Sequence, residues 1–196
     1  MSKEKKFQLR NQKILTTAEK LLKEKGYYRF KISDISEELE IAKGTIYNHY
    51  VSKEDLLFAV IYPKLQHLKD ALQKIPHSDL FFKQQLQQAV QIVLESDYHQ
   101  FLKLTYSDMA VLFQEKNQTE MTTVQEEIIH AFEKILVVGS NEGILREDLS
   151  LSFLSHQILL LLDPLLNSLL VDSGKMKKEE FTRQTTELLL YGMTKG

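Results

Sequence analysis

Several features that define common protein classes are absent from this chain of 196 residues. It contains no cysteine, which excludes a disulfide framework, a thiolate metal site and a cysteine nucleophile. Its amino terminus, M-S-K-E-K-K, is charged and leads into no apolar run, so we expect no signal peptide. Together these absences predict a cytoplasmic protein.

Sequence motifs of catalysis and metal binding are also absent. The six histidines show neither an H-E-x-x-H pattern nor another close metal spacing. There is no Walker loop, dinucleotide fingerprint or G-x-S-x-G setting. We therefore predict no enzyme activity, no metal and no cofactor, although a catalytic site assembled from distant residues stays open at this point.

The charge of the chain is distributed unevenly. Hydrophobic residues at 43% and charged residues at 27% are ordinary for a soluble globular protein with one large or two small domains. Residues 1–53 contain 12 Lys and Arg against 7 Asp and Glu, whereas residues 54–196 contain 13 against 20. A basic head on an acidic body would attract phosphate at the head and repel it elsewhere. The alternative is a random fluctuation in surface charge.

The stretch from residue 32 to residue 53 has the pattern of two short helices joined by a tight turn. Its apolar positions would close a small core: Ile35, Leu39, Ile41, Ile46 and Tyr50. This is a helix-turn-helix pattern. The face left outside that core carries polar and aromatic groups: Lys43, Thr45, Tyr47, Asn48, His49 and Lys53. Such a face suits a polyanion with readable base edges, which is double-stranded DNA.

These residues also carry a family resemblance. The string I-A-K-G-T-I-Y-N-H-Y over 41–50, followed by S-K-E-D-L-L over 52–57, resembles the amino-terminal domain of the tetracycline-repressor (TetR) family. The likeness covers residues 7–60 and is most specific over 43–53. It implies an all-α protein of about nine helices, with a helix-turn-helix DNA-binding domain over 1–51 and a helical ligand-binding and dimerisation domain over 52–196.

The pattern and the resemblance together predict a set of DNA-binding residues: Lys31, Ser33, Lys43, Gly44, Thr45, Tyr47, Asn48, His49 and Lys53. Lys43 and Asn48 are the better candidates for base edges, and Gly44 lets the backbone come close to a phosphate. Each has an ordinary alternative. A single His49 is more often packed or solvated, and a single Tyr47 is more often half-buried core.

Two positions depart from what is usual in the family. Lys31 stands where a Ser or Thr normally caps the second helix, and the missing cap should cost about 1 kcal/mol unless Ser33 replaces it. Glu40 stands where the turn commonly has glycine, and a left-handed glutamate costs about 1 kcal/mol. Both departures weaken the match without breaking it.

The rest of the chain reads as helices. We expect a helix to end at Gly26 and another to begin at Ser52, which fits a capping box. Further helices are predicted from Ser78 or Asp79, around 98–113, and over 119–138, 149–171 and 177–193, with Gly139 and Gly143 as helix-end residues. The segment 149–171 is apolar almost all round, but Asp163, Pro164 and Asn167 interrupt it too early for a membrane span of about 20 residues.

The last two helices are candidates for a dimer interface. Pairing them with their copies in a second subunit would form a four-helix interface, as is usual in the family. The alternative is that they complete a monomeric core.

A ligand site is less well defined by the sequence. Apolar cavity-lining candidates are Phe101, Met109, Phe113 and Phe132. His156, Leu160 and Asp163 form with Asn167 one stripe that meets a ligand, the other subunit or water.

We predict a homodimeric DNA-binding transcriptional regulator, a repressor of a palindromic operator that a small molecule relieves. Relief by a ligand is implied by the resemblance. The alternatives are a family member that acts as an activator or through a protein partner, and an all-α enzyme or carrier with a non-binding head.

Overall fold

The computed structural model of the protein describes residues 2–105 and 118–195, with the side chains of 104 and 105 not described. The predicted all-α fold is confirmed. The only non-helical pairing within these ranges is one isolated antiparallel bridge between Leu145 and Thr194. The described residues form two compact units: residues 2–64 with 104–105 and 118–121, and residues 65–103 with 122–195.

The amino-terminal part of the first unit contains α1 Lys3–Arg29, α2 Ile32–Glu38, α3 Lys43–Tyr47 and the start of α4, Lys53–Leu72. Helix α1 begins after Ser2, whose hydroxyl oxygen accepts a hydrogen bond from the Lys5 amide at 3.2 Å. Its regular geometry stops at Gly26, where φ is 71°, as the sequence predicts. One more helical turn follows before the chain enters α2.

The core of this unit is aliphatic. Ile14, Leu22, Ile35 and Ile46 are fully buried, so α1, α2 and α3 share one apolar centre. The predicted burial is therefore confirmed for Ile35 and Ile46. The other three positions assigned to this core are only half-buried, because they lie at the turn and at the end of α3: Leu39, Ile41 and Tyr50.

The remaining helical elements lie mostly in the second unit. They are a 3₁₀ turn Ile75–His77, α5 Phe82–Glu95, α6 Asp97–Thr105, α7 Gln118–Asn141, α8 Leu151–Leu161, α9 Pro164–Asn167, a π-helix Ser168–Asp172 and α10 Lys178–Met193. The predicted inward positions of α7 are confirmed, since all of them are buried: Val124, Ile128, Ala131, Phe132 and Ile135.

Helix α5 begins later than predicted, at Phe82 instead of directly after Ser78 or Asp79. The reason is local: the Ser78 hydroxyl donates to the Ile75 carbonyl at 2.7 Å and closes the 3₁₀ turn. Its oxygen therefore does not cap α5. The Phe81 amide instead donates to the side chain of Gln84 at 3.2 Å, which secures the first turn.

The prediction that Gly139 ends a helix is wrong, because α7 continues to Asn141. A Cβ atom at this position would lie 2.7 Å from Cγ of the buried Phe82 ring. The glycine therefore permits close packing between α7 and α5. Gly143, with φ of 72°, provides the turn after the helix instead.

The segment Leu151–Asp172 is long and apolar enough, by length and composition, to span a membrane. Its backbone, however, is broken between α8 and α9, where Asp163 caps Pro164–Asn167 by accepting the Leu165 amide at 2.7 Å. A continuous span would need these backbone groups paired within one helix.

Many apolar side chains of this segment and of α10 remain on the surface of the single chain: Phe153, Leu160, Leu165, Leu166, Leu169, Leu188 and Tyr191. We call these seven residues the apolar face.

Candidate nucleic-acid interface and internal cavity

The turn between α2 and α3 holds the two helices against each other. Glu40 adopts a left-handed conformation with φ of 51°, as predicted for this position. The Ile41 amide then donates to the Ser36 carbonyl at 3.0 Å and reverses the chain. Because Ile35 and Ile46 are buried behind this turn, the opposite side of α3 faces outward.

The missing cap of α2 is compensated from within the helix. Lys31 makes no side-chain cap, as predicted, and Ser33 does not replace it. The Asp34 carboxylate instead accepts the Lys31 amide at 3.0 Å and pairs with Lys25 at 2.9 Å. The hydrogen bonds from Lys25 and from the Lys31 amide hold the pKa of Asp34 below its usual value.

The outward surface of α3 is the candidate interface. Lys43, Gly44, Tyr47 and Asn48 are exposed, and Thr45 is half-buried. Tyr47 is 51% exposed, so it is not a core residue. No atom of the described protein lies within 4 Å of a Cβ built on Gly44, so packing in the free protein does not require glycine there. The backbone at Gly44 is therefore open to close approach by another molecule.

His49 makes a contact within the domain. Its ring stacks on that of Phe7, with centroids 3.9 Å apart and an angle of 22°. Its Nδ1 atom is buried and has no hydrogen-bond partner among the described residues. Burial, followed by the charge of Arg10, lowers the pKa of His49, which favours the neutral ring. The structure therefore places His49 between α1 and α3.

Lys53 is also held within the domain. Its ammonium donates to the Tyr27 carbonyl and lies 3.9 Å from the centroid of the Tyr27 ring. The Tyr27 hydroxyl donates to Glu54, and this hydrogen bond holds the pKa of Glu54 below its usual value. Lys53 thus ties the start of α4 to the end of α1.

Three cations on the first turns of α1 lie beside this surface and were missed by the sequence reasoning. Lys3, Lys6 and Arg10 line a cleft of about 270 Å³ together with Phe7, Thr45, Asn48 and His49. Their spacing of three and four residues places them on one side of a helix, and this was the available signal. We call this space the α1–α3 cleft.

The second unit contains a partly open cavity of about 290 Å³. Twelve residues line it, and none carries a formal charge at neutral pH: Leu65, Leu68, Val93, Tyr98, His99, Leu102, Gln125, Ile128, Ile129, Leu159, Leu162 and Pro164. Burial raises the pKa of Tyr98 to about 12, so its phenol stays protonated.

The predicted ligand-binding residues lie elsewhere. Phe101 and Phe132 are buried but do not line the cavity, and Asp163 caps α9. His156 and Leu160 are exposed, with Leu160 at 66%. Met109 and Phe113 are outside the described residues.

His99 is the cavity residue that the sequence reasoning missed. It is 2% exposed, and Nε2 lies 3.2 Å from the Leu162 carbonyl. A carbonyl only accepts, so Nε2 carries the hydrogen and Nδ1 of the neutral ring does not. Burial lowers the pKa of His99 to about 4.

A comparison of the sequence with protein families agrees with this geometry. Residues 14–60, which contain α2, the turn and α3, match the family described as "Bacterial regulatory proteins, tetR family". Over these residues the chain is similar to TetR-family transcriptional regulators. The resemblance stated from the sequence is thereby confirmed.

Several transcriptional regulators are similar to this protein over almost the whole chain. The "Fatty acid metabolism regulator protein" of Bacillus subtilis is 22% identical over 187 residues, which are 92% of this chain and 93% of the relative. The structure of the transcriptional regulator FadR from Bacillus subtilis in complex with stearoyl-CoA has 18% identity and a TM-score of 0.69, covering 93% of this chain and 98% of that chain. A ketosteroid transcriptional regulator of Mycobacterium tuberculosis has 20% identity and a TM-score of 0.74, covering 95% and 96%.

Proposed function

We propose that this protein is a cytoplasmic repressor, not an enzyme, that binds a palindromic operator as a homodimer and leaves it when a small apolar effector binds. The exposed α3 surface carries the proposal, because it joins a charged side chain, an amide, a phenol and an open glycine on one short helix. We retain 1–51 as the DNA-binding domain and 52–196 as the domain for effector binding and dimerisation.

We assign the DNA contacts to those predicted residues whose side chains or backbone are accessible on the outward surface of α3. Lys43 and Asn48 read base edges, while Gly44, Thr45 and Tyr47 lie against the sugar-phosphate backbone. The remaining four predicted residues act differently. Lys31 and Ser33 lie beside phosphates at the start of α2, and His49 and Lys53 position α3 and α4 through the contacts with Phe7 and Tyr27.

The apolar face supports a homodimer. Leu160 is 66% exposed, Leu169 is 54% exposed and Leu188 is 60% exposed, and α10 packs directly against α8 and the π-helix. An exposed apolar patch on neighbouring helices marks an interaction surface. A second copy of the chain provides an identical patch, so an isologous two-fold interface would cover both.

The effector is proposed to place a hydrocarbon group in the cavity. The lining residues offer apolar walls and three polar side chains, Tyr98, His99 and Gln125, without a charge to pair with an anion. The FadR relative whose structure holds stearoyl-CoA supports an acyl chain as this group. A cavity of about 290 Å³ favours a chain shorter than stearoyl.

Gly44→Ala tests the DNA-binding proposal. In the free protein, alanine fits and should raise the free energy of unfolding by about 0.5–1 kcal/mol, because alanine is the better helix former. On DNA, the added methyl group would meet the sugar-phosphate backbone, and we expect operator affinity to fall at least about tenfold, or 1.4 kcal/mol. The measurements are urea denaturation and fluorescence anisotropy on a duplex selected by the wild-type protein.

Salt dependence provides the matching measurement on the wild type. The logarithm of the association constant should fall linearly with the logarithm of salt concentration, with a slope of about −0.9 for each phosphate neutralised. The proposed function would be contradicted if selection with the wild-type protein yielded no bound duplex, or if binding to the duplex did not depend on salt concentration.

A series of acyl-CoA molecules tests the effector proposal. Affinity should rise by about 0.8 kcal/mol, or fourfold, for each added methylene until the cavity is full, and then level off. Isothermal titration without DNA measures this directly, with CoA alone as the control. Equal affinity for CoA and for every acyl-CoA would exclude the cavity as the acyl site.

A further inference from the structure

The acidic residues of the DNA-binding unit are arranged so that they neutralise only part of its positive charge. Lys20 pairs with Glu38 at 2.9 Å, Lys23 with Glu19 at 2.7 Å and Lys25 with Asp34 at 2.9 Å. All three lysines belong to the second half of α1. That half of the helix therefore presents little uncompensated charge.

The first half of α1 differs. Lys3, Lys6 and Arg10 are exposed and form no ion pair with any described residue. They line the α1–α3 cleft, and no carboxylate lines it. Three cations on one side of one helix repel one another, so an anion in the cleft would be favoured by all three.

The position of the cleft relates it to α3. Its opposite wall is formed by Thr45 and Asn48, which are on the helix that carries the base contacts. The stacked rings of Phe7 and His49, 3.9 Å apart, join the two walls and fix the distance between them. An anion in the cleft would thus be held at a defined place beside the groove that α3 enters.

We propose that the α1–α3 cleft binds one phosphodiester group of the operator in each subunit. Lys3, Lys6 and Arg10 supply the charge, and the Thr45 hydroxyl supplies a hydrogen-bond donor. This inference rests on the proposed function, and it adds a phosphate site on α1 to the contacts of α2 and α3. The site sets the register of α3 on the duplex and carries no sequence information of its own.

The test compares two triple variants of the full-length protein with equal formal charge. The cleft variant removes the cleft cations through Lys3→Gln, Lys6→Gln and Arg10→Gln. The control variant removes three paired cations from the same helix through Lys20→Gln, Lys23→Gln and Lys25→Gln. Each is titrated with a duplex selected by the wild type and with an unrelated duplex of the same length, between about 50 and 200 mM salt.

The cleft variant should lose about one unit of salt slope per subunit, or two per dimer, and at least about tenfold in affinity for both duplexes. The control variant should lose less than about threefold. Equal losses in both variants, or no loss in either, would overturn the proposal while leaving the proposed function standing. Failure of the wild type to bind either duplex would instead remove the proposed function, and the cleft site with it. Circular dichroism on both variants verifies that α1 is folded.

Discussion

The double variant Leu169→Lys with Leu188→Lys is expected to convert the proposed homodimer into a monomer and to weaken operator binding by about a hundredfold or more. Both leucines are more than half exposed in the single chain, and they lie on the π-helix and on α10, which pack together. A buried ammonium without a partner would oppose association of the two copies. A monomer has one recognition helix and loses the advantage of two linked sites, which is typically a factor of 10² to 10⁴.

The matched control is Val137→Lys on α7. Val137 is 43% exposed and belongs to a different helix from the apolar face, so this change should alter neither the mass of the assembly nor its affinity for DNA. Analytical ultracentrifugation and anisotropy measure the two quantities. A double variant that remains a dimer would show that the apolar face is not the subunit interface.

The stability of the protein is expected to fall by about 3 kcal/mol between pH 7 and pH 4 because of His99 alone. The pKa of this residue is about 4 in the folded protein and about 6.5 in an unfolded chain. Between these values the unfolded state binds more protons than the folded state, so the free energy of unfolding rises with pH. The stabilisation is complete above pH 6.5 and is lost as the pH falls towards 4.

His99→Gln should flatten this part of the pH profile, since glutamine does not titrate and can still donate to the Leu162 carbonyl. His67→Gln, an exposed position on α4, is the control and should leave the profile unchanged. Urea denaturation at a fixed protein concentration avoids a change in subunit association. Identical pH profiles for wild type and His99→Gln would show that the folded protein tolerates a charged His99.

Local rules predicted those parts of the fold whose causes lie within a few residues. A single glycine ends the regular part of α1 at Gly26, and the spacing of Ser52 and Asp55 gives the cap of α4, where the Asp55 amide donates to the Ser52 hydroxyl at 3.0 Å. The left-handed Glu40 was also predictable, because the turn between α2 and α3 requires that conformation whichever residue occupies it.

The features that the sequence did not indicate depend on partners distant in sequence. Nothing near Gly139 indicates the ring of Phe82, which occupies the space that a side chain would need. The engagement of Lys53 with Tyr27, 26 residues away, is likewise a tertiary contact. For the same reason the sequence did not indicate the cavity around His99 on α6. The periodicity of apolar residues identifies the buried face of a helix but not the element that packs against it.

The hydrogen bond between His99 and Leu162 links α6 to the end of α8. Leu162 lies where α8 stops, so its carbonyl is one of those that a broken helix leaves without a backbone donor. A bound ligand large enough to rotate the His99 ring would leave the Leu162 carbonyl without its hydrogen bond. This would cost about 1–3 kcal/mol unless the segment between α8 and α9 shifted with the ring. The break between α8 and α9 thus lies in the cavity wall that a bound effector would contact. The leucines that follow this break belong to the apolar face, where a second copy of the chain would bind.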